Sequence, residues 1–361
     1  MANMLDYVAW RGDLSFADDK FNEVDAAIFS MLSYIDYGAV CREQDKLMSD
    51  AVEGYCPDKN YDGVRLGLII PSKNINRLFC DCGQSRRFGG VRISDFKSRI
   101  NNEEICQFAA VTFHLPRSRM VVAFRGTDDS IVGWREDFCL SYLDSIPAQR
   151  MAVQYLEEVA AKYPDERIYV CGHSKGGNMS AYATVNCSPD VRRRILKTYS
   201  CDGPGFDKKA VKASQFKRAQ RKLDFIVPQS SFIGTMFEVG GKYTVVNSVR
   251  RGAYQHDSFS WEVCGPSFRH LDSLSERGHK NANQFRASME RMTVEEKKDF
   301  SDTFFSIVAS TGANTLTDFT DGGLKKLAAA VRNYNGLDKQ KREIMMGLII
   351  KLFDLKKNKA E

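Results

Sequence analysis

The stretch that decides the fold is Tyr-Val-Cys-Gly-His-Ser-Lys-Gly-Gly-Asn, residues 169–178. Residues 167–171 are typical of a β-strand, and they lead into G-x-S-x-G, which is followed by a sequence typical of a helix. A serine on such a tight turn projects its hydroxyl above the edge of the sheet. Gly172 and Gly176 flank the turn because a Cβ there would collide with the neighbouring element. The pattern predicts a nucleophile at Ser174, and the alternative is a glycine-rich turn with an inert serine.

The length and composition indicate a globular protein with a large core. The 361 residues suggest one large domain, or one domain with an appendage. No segment reaches the roughly 18 consecutive apolar residues of a membrane span. Residues 1–18 lack the features of a secretory signal, so we expect a cytoplasmic protein. The net charge of +6 is spread along the chain, and its densest cluster, 192–194, is typical of a solvated surface, so no nucleic acid partner is expected.

The ten cysteines favour reduced thiols over a disulfide framework. Cys106, Cys171 and Cys201 lie inside predicted core strands, and the chain is much longer than the small secreted domains that depend on disulfides. Cys80 and Cys82 have the wrong spacing for a zinc knuckle and no paired second half. We therefore expect neither a metal nor another cofactor.

Strands and helices alternate along most of the chain, which predicts a largely parallel sheet covered by helices. A helix is predicted over 21–34, and a hairpin turns at 116–118. The other predicted elements are strands at 105–115, 120–124, 195–201, 223–227 and 242–249, and helices at 148–162 and 177–186. Residues 41–95 are predicted to be irregular, with one clear apolar run at 64–70. This segment either caps a pocket or is an ordinary elaboration on the surface.

The sequence changes character near its C-terminal end. Residues 286–361 are charged, helical and striped with Leu, Ile and Met, so we assign them to a helical extension of a domain spanning 1–285. The predicted features are a capping box of Thr293 and Glu296, helices at 324–331 and 343–355, and a solvated tail at 356–361. The stripes favour packing against the domain, and the alternative is peripheral contact with a membrane, which the basic tail would suit.

Four motifs follow one another between residues 111 and 263. They are A-F-R-G-T-D at 123–128, G-H-S-K-G-G-N at 172–178, D-G-P-G-F at 202–206 and Q-H-D-x-F-S-W at 255–261. In this order they resemble the class 3 lipase-like branch of the α/β-hydrolases, and within it the bacterial Mbeg1-like group. The resemblance implies an α/β-hydrolase fold and a small acyl-ester or lipid substrate.

An acyl hydrolase needs a base that takes the proton of the nucleophile, and the chain has five histidines. His256 lies in a loop after a late strand, which is the chain order expected of this fold, and the resemblance selects it as well. The alternative is a loop histidine that caps a turn with Asp257. The other four fit less well: His173 beside the serine, His114 before the hairpin turn, and His270 and His279 at the surface.

The acid departs from the family pattern. Lipases of this class carry an aspartate after the strand at 223–227, and the loop there reads Pro-Gln-Ser-Ser at 228–231. Asp202 is the better candidate, because it ends the strand after the nucleophile helix, where some α/β-hydrolases keep their acid. Its other possible role is to accept N–H bonds from the glycine-rich turn that follows. The weaker candidates are Asp224, inside the later strand, and Asp257, beside His256.

Two donors are expected for the oxyanion. One is the backbone N–H of Lys175, at a helix start where free N–H groups favour negative charge. The other is expected at Thr127, from its backbone N–H with or without its hydroxyl, in a turn held by Asp128. The Lys175 side chain is expected to place a positive charge at the mouth of the site and so favour anionic substrates. Trp134 and Phe138 either line the acyl side or belong to the core.

These features predict a serine hydrolase that cleaves carboxylic esters, lipid-like or with small acyl groups, through an acyl-enzyme. One alternative is an acyltransferase that uses the same site. The other is a catalytically degenerate binding or scaffold module, motivated by the missing acid and by the C-terminal helices. The sequence does not predict the oligomeric state.

Overall fold

The computed structural model describes residues 1–41, 44–53, 55, 72–206, 211–237, 239, 241–313, 315, 318, 323–334, 339 and 342–343. Its helices are α1 (Met4–Arg11), α2 (Glu23–Leu32), α3 (Tyr37–Cys41), α4 (Met48–Glu53), α5 (Ser72–Gln84), α6 (Ile131–Cys139), α7 (Pro147–Lys162), α8 (Lys175–Asn186), α9 (Pro189–Arg194), α10 (Ala213–Ala219), α11 (Glu276–Glu290), α12 (Val294–Ser310) and α13 (Gly323–Asn333). Its strands are β1 (Lys46–Leu47), β2 (Arg92–Asn101), β3 (Cys106–Leu115), β4 (Arg119–Phe124), β5 (Arg167–His173), β6 (Ile195–Cys201), β7 (Leu223–Pro228), β8 (Tyr243–Val246), β9 (Val263–Cys264), β10 (Ser267–Phe268) and β11 (His270–Leu271).

Nine strands form one sheet, in the order β1-β2-β3-β4-β5-β6-β7-β8-β11. The five central strands, β4 to β8, run parallel. Antiparallel strands extend the sheet at both edges. Because parallel strands share one carboxyl edge, the segments that follow β4 to β8 meet there. This is an α/β-hydrolase fold, and the prediction of a mostly parallel sheet covered by helices is confirmed.

Local sequence explains the boundaries of the elements that place the site. α2 begins after Asn22, whose side chain accepts hydrogen bonds from the second and third N–H groups of the helix. The hairpin between β3 and β4 turns through Arg117 and Ser118, both in the left-handed region. The capping box of Thr293 and Glu296 starts α12, as predicted.

Helices cover both faces of the sheet. On one face, α1, α2 and α5 bury a cluster that includes Phe29, Phe79 and Phe113. On the other, α7 and α8 bury Leu156 and Met179 against the strands. A buried aromatic or aliphatic side chain of this size contributes about 1.5–3 kcal/mol to folding. The two clusters fix the central strands, and therefore the loops at their carboxyl edge.

The expectation of an irregular segment at 41–95 is wrong for its described part. This part contains α4, α5 and the start of β2, which pairs antiparallel with β3. β2 was missed because most of its side chains are half-buried or exposed and many are charged, so no apolar alternation marks it. The predicted apolar run at 64–70 lies outside the described residues.

The C-terminal helix α12 packs against α6, and α13 packs against α12. Phe300, Phe304 and Phe305 lie in a shared apolar cluster with Phe138 and Trp134 of α6. Leu327 and Val331 of α13 are buried in the same cluster, so for the predicted helix at 324–331 the apolar stripe faces protein, which is the packing alternative. The predicted tail at 356–361 and all but the first residue of the predicted helix at 343–355 lie outside the described residues. Among the described residues, no helix is long and apolar enough to cross a membrane.

Among the cysteines that the structure describes, all but one follow the prediction. Cys106, Cys171 and Cys201 are buried free thiols in β3, β5 and β6, and five further described cysteines are also free. Cys80 of α5 is disulfide-bonded, so the expectation of reduced thiols is wrong for that residue.

Candidate active site

The turn between β5 and α8 has the strained geometry that its sequence predicts. Ser174 has φ +58° and ψ −129°, in the left-handed half of the backbone map, and α8 begins at the next residue. A Cβ on Gly176 would lie 2.1 Å from the carbonyl oxygen of Phe124, and one on Gly172 would lie 2.3 Å from the backbone of Gly176. Only glycine therefore fits at either flank. The side chain of Ser174 stays partly exposed at the carboxyl edge of the sheet.

The structure brings His256 and Asp202 together. The Nδ1 atom of His256 lies 2.7 Å from Oδ2 of Asp202, and both side chains are buried. The other carboxylate oxygen, Oδ1, accepts hydrogen bonds from the hydroxyl of Ser231 and from the N–H of Gly234, the latter at 3.1 Å. Ser231 belongs to the loop after β7 that lacks the family's aspartate. The loop thus supplies a hydroxyl that orients an acid carried by the neighbouring strand.

This pairing fixes the tautomer of His256. An ionised carboxylate only accepts hydrogen bonds, so Nδ1 carries the hydrogen and Nε2 of the neutral ring keeps a free lone pair. Nε2 is therefore the nitrogen that could accept a proton. The geometry is that of a base oriented by an acid.

The two weaker acid candidates lie elsewhere. Asp224 accepts a hydrogen bond of 2.6 Å from Thr244 on the adjacent strand. Asp257 accepts a bond of 3.1 Å from the N–H of Phe259 and lies 2.9 Å from Arg250. Burial raises the pKa of Asp257 to about 6. Each has a structural partner of its own.

His173 holds the loop that carries His256, a contact that the sequence analysis missed. Its Nε2 atom lies 2.7 Å from the carbonyl oxygen of His256, and the two rings are 4.4 Å apart. Burial holds the pKa of His173 well below its usual value, so the ring is neutral. Because a carbonyl only accepts, Nε2 donates, and Nδ1 faces the hydroxyl of Tyr34 at 3.4 Å. No local pattern could reveal this contact, because the two histidines are 83 residues apart.

The turn after β4 lies directly against the nucleophile turn. A Cβ on Gly126 would lie 2.5 Å from the carbonyl oxygen of His173 and 3.2 Å from Cβ of Ser174. The hydroxyl of Thr127 donates to Oδ2 of Asp137 at 2.6 Å. Asp128 accepts a hydrogen bond from the N–H of Ser130, and so holds the turn as expected. Thr127 thus directly follows Gly126, the residue of this turn that lies against Ser174.

Asp137 is an unusual neighbour for Thr127. Its Oδ1 atom is buried and makes no hydrogen bond among the described residues. Burial raises the pKa of this carboxyl to about 6, although Lys175 and the Thr127 hydroxyl oppose the rise. Above that pH the carboxylate accepts a hydrogen bond from the Thr127 hydroxyl, whose single hydrogen is then not available to another acceptor.

The expectation of a positive charge at the mouth of the site is wrong. The Lys175 side chain is fully buried, and its ammonium lies 2.9 Å from Oε2 of Glu136. The same nitrogen donates to the backbone oxygen of Gln107 at 2.9 Å and to its side-chain oxygen at 2.5 Å. A buried ammonium needs such partners, because an unpaired charge in the interior is very costly. The Lys175 charge therefore cannot select anionic substrates by direct contact.

Trp134 and Phe138 belong to the core, which is one of the two roles considered for them in the sequence. Phe138 stacks on Phe304 with ring centroids 5.7 Å apart and meets Phe305 edge-on at 5.3 Å. Trp134 packs into the same cluster. Among the described residues, no group of three or more His, Cys, Asp or Glu side chains is arranged to hold a metal ion.

With this geometry in place, comparison with known proteins gives the family. The sequence profile described as Mbeg1-like matches residues 82–306, more than half of the chain. The chain belongs to the Mbeg1-like family. The resemblance given by the four motifs is thereby confirmed.

Solved structures similar to this Mbeg1-like chain include fungal lipases. A mutant form of MDLA from Penicillium cyclopium is 15% identical over 70% of this chain and 87% of its own, with a TM-score of 0.39. Lipase II from Rhizopus niveus is 12% identical over 77% and 94%, with a TM-score of 0.37. The propeptide complex of Rhizomucor miehei lipase is 13% identical over 76% and 78%, with a TM-score of 0.37. A search of curated proteins found no match.

Proposed function

We propose that this Mbeg1-like chain is a serine hydrolase that cleaves carboxylic esters, lipid-like or with small acyl groups, through an acyl-enzyme and without a cofactor. The observation that carries the proposal is the buried Asp202–His256 pair, 2.7 Å apart, beside the strained turn at Ser174. A nucleophile, a base and a group that orients the base are the parts that acyl transfer needs. The scaffold alternative was motivated by a missing acid, and Asp202 supplies a carboxylate in its place.

In the first step, Nε2 of His256 takes the proton of Ser174 as the serine oxygen bonds to the ester carbonyl carbon. Asp202 keeps Nε2 free of hydrogen before the step and stabilises the imidazolium afterwards. The carbonyl oxygen becomes an oxyanion, which we assign to the backbone N–H groups of Lys175 and Thr127. We assign the N–H rather than the hydroxyl of Thr127, because the hydroxyl proton is held by Asp137.

The intermediate then collapses. The bond from the carbonyl carbon to the alcohol oxygen breaks, and His256 returns its proton to that oxygen. The acyl group stays on Ser174 until a water molecule, deprotonated by His256, attacks the same carbon. The carboxylic acid leaves and the serine recovers its proton.

Pre-steady-state hydrolysis of p-nitrophenyl acetate, butyrate and octanoate tests the proposal. An acyl-enzyme that forms faster than it is hydrolysed gives a burst of p-nitrophenol that scales with protein concentration. We expect turnover of at least one ester and no burst or turnover in Ser174→Ala. A folded wild-type protein that cleaves none of the three, or a Ser174→Ala variant that cleaves them equally well, would contradict the proposed function.

A further inference from the structure

The buried ammonium of Lys175 starts a chain of hydrogen bonds. The chain ends at the peptide group between Gly126 and Thr127, whose N–H is the second donor that we assign to the oxyanion. Besides the ion pair with Glu136, the ammonium donates to the side-chain oxygen of Gln107. The amide nitrogen of Gln107 donates to the backbone carbonyl of Gly126 at 3.3 Å. That carbonyl belongs to the peptide group whose N–H is that of Thr127.

The ammonium decides which way the Gln107 amide faces. An ammonium has three donors and no acceptor, so only the oxygen of the amide can face it. The amide nitrogen is therefore left to face Gly126. The backbone of Gln107 is fixed as well, because its N–H donates to Glu136 and its carbonyl accepts from Lys175, both at 2.9 Å. Gln107 is fully buried, so no water competes for these bonds.

The orientation of one peptide group follows from this chain. In a planar trans peptide, the carbonyl oxygen and the amide hydrogen point in opposite directions. Because the Gly126 carbonyl points at Gln107, the N–H of Thr127 points away from it. If the peptide turned over, it would present an oxygen where a donor is needed, and it would lose its bond to Gln107.

We propose that Gln107, held by the Lys175–Glu136 ion pair, is a positioning residue that keeps the peptide between Gly126 and Thr127 turned for oxyanion binding. The proposal rests on the proposed function. Lys175 then serves twice, because its backbone N–H is one donor and its side chain orients the other. The same contacts explain why a lysine can follow the nucleophile without exposing its charge.

A buried ion pair with a purely structural role makes a different prediction. Breaking such a pair lowers stability, while the chemistry of correctly folded molecules is unchanged. Loss of one oxyanion donor instead lowers kcat by about 10²–10³-fold, because the donor acts mainly in the transition state. The split between kcat and KM therefore separates the two roles.

The test is Gln107→Glu, which keeps an oxygen facing Lys175 but removes the donor to Gly126 and sets a carboxylate oxygen against its carbonyl. We expect kcat for p-nitrophenyl esters to fall about 100-fold with KM nearly unchanged. A crystal structure of the variant should show the Gly126 carbonyl turned away from position 107. The control is Asp25→Asn, which disrupts the buried ion pair with Arg87 and should lower stability without lowering kcat.

If Gln107→Glu does not fold, Lys175→Met combined with Glu136→Gln frees the Gln107 amide without leaving a buried charge, and it should give the same loss of kcat. A folded variant with wild-type kcat, or with an unmoved peptide, overturns the proposal. If the wild-type protein cleaves no ester, the proposed function fails, and the orientation of the peptide in the variant crystals alone decides whether Gln107 positions it.

Discussion

Two regions of this molecule place a histidine that is hydrogen-bonded to a carboxylate in the neighbourhood of a serine. One is the site cluster at the carboxyl edge of the parallel strands, made of Ser174, His256 and Asp202. The other, which we call the edge cluster, consists of Ser94, His114 and Glu166. In the edge cluster, Nε2 of His114 lies 2.8 Å from the Ser94 oxygen, and Nδ1 lies 2.9 Å from Glu166. The residue types alone would allow either cluster to be catalytic.

The backbone distinguishes the two serines. Ser94 lies in β2, opposite Thr112 of β3, and only 4% of its surface is exposed. Ser174 lies on a strained turn, partly exposed, directly before a helix, where backbone N–H groups lack acceptors in a preceding helical turn and can bind an anion. Ser94 has neither access to a substrate nor a helix start beside it. A serine, a histidine and an acid within reach of one another do not make an active site without exposure and oxyanion donors.

The largest expected effect separates the two clusters directly. Ser174→Ala should lower kcat/KM for p-nitrophenyl esters by about 10⁶-fold, to near background, because no other oxygen sits on the turn. Ser94→Ala, its matched control, should retain wild-type kinetics. Steady-state kinetics on both variants checks this. Equal losses of kcat/KM in the two variants would contradict the assignment of the nucleophile to Ser174 rather than Ser94.

The second effect concerns the carboxylates. Asp202→Asn should lower kcat by about 10⁴-fold, because an amide can donate to Nδ1 and so favour the wrong tautomer of His256. Glu166→Gln makes the same chemical change in the edge cluster and should leave kcat within a factor of about two. A kcat of Asp202→Asn that equals the wild-type value would show that Asp202 does not orient His256 in the reaction.

Much of the fold could be predicted because its signals are local. The G-x-S-x-G turn, the capping box of Thr293 and Glu296 and the β3–β4 hairpin each depend on residues within about ten positions of one another. A short stretch of sequence is therefore enough to predict each of these three features. β2 was not predicted, because a half-exposed strand at this edge of the sheet lacks the alternation of apolar and polar residues that marks a strand.

The site was harder to predict because its contacts are long-range. Lys175 meets Glu136 and Gln107 across 39 and 68 residues, so its burial is invisible in the sequence near position 175. Asp202 directly follows the carboxyl end of β6, whereas Asp224 is the second residue of β7 and pairs with Tyr199, so the two carboxylates lie at different positions along the sheet. Which of them meets the loop of His256 depends on strand boundaries and register, and the period-two pattern of strands does not settle these.

The third prediction uses the unsatisfied carboxyl at the site. The pKa of Asp137 is raised to about 6 in the folded protein. Between pH 4 and 6 the folded protein therefore holds a proton that the unfolded chain releases, and the free energy of unfolding falls as the pH rises through this window. The loss is at most about 3 kcal/mol.

Urea unfolding of wild-type protein and Asp137→Asn at pH 4 and pH 7 measures this effect. The variant lacks the titration, so its stability relative to wild type should increase from pH 4 to pH 7. Parallel pH profiles for wild type and Asp137→Asn would mean that the carboxyl titrates normally.

The smallest expected effect concerns Ser231, whose hydroxyl donates a hydrogen bond to Asp202. Ser231→Ala removes one of the two donors to Oδ1 of Asp202 and leaves the N–H of Gly234. We expect kcat to fall about tenfold, with Ser231→Thr close to wild type because it keeps a hydroxyl. Such a loss corresponds to about 1.4 kcal/mol, which is the contribution of one hydrogen bond to a charged group. An unchanged kcat in Ser231→Ala would leave the loop without a role in orienting Asp202.

Peptide mapping by mass spectrometry after treatment with a fluorophosphonate identifies the nucleophile itself, because only an activated serine is phosphonylated rapidly. We expect one adduct, on Ser174, and its loss when His256 is replaced by alanine. An adduct on Ser94 instead, or none on folded protein, would contradict this expectation.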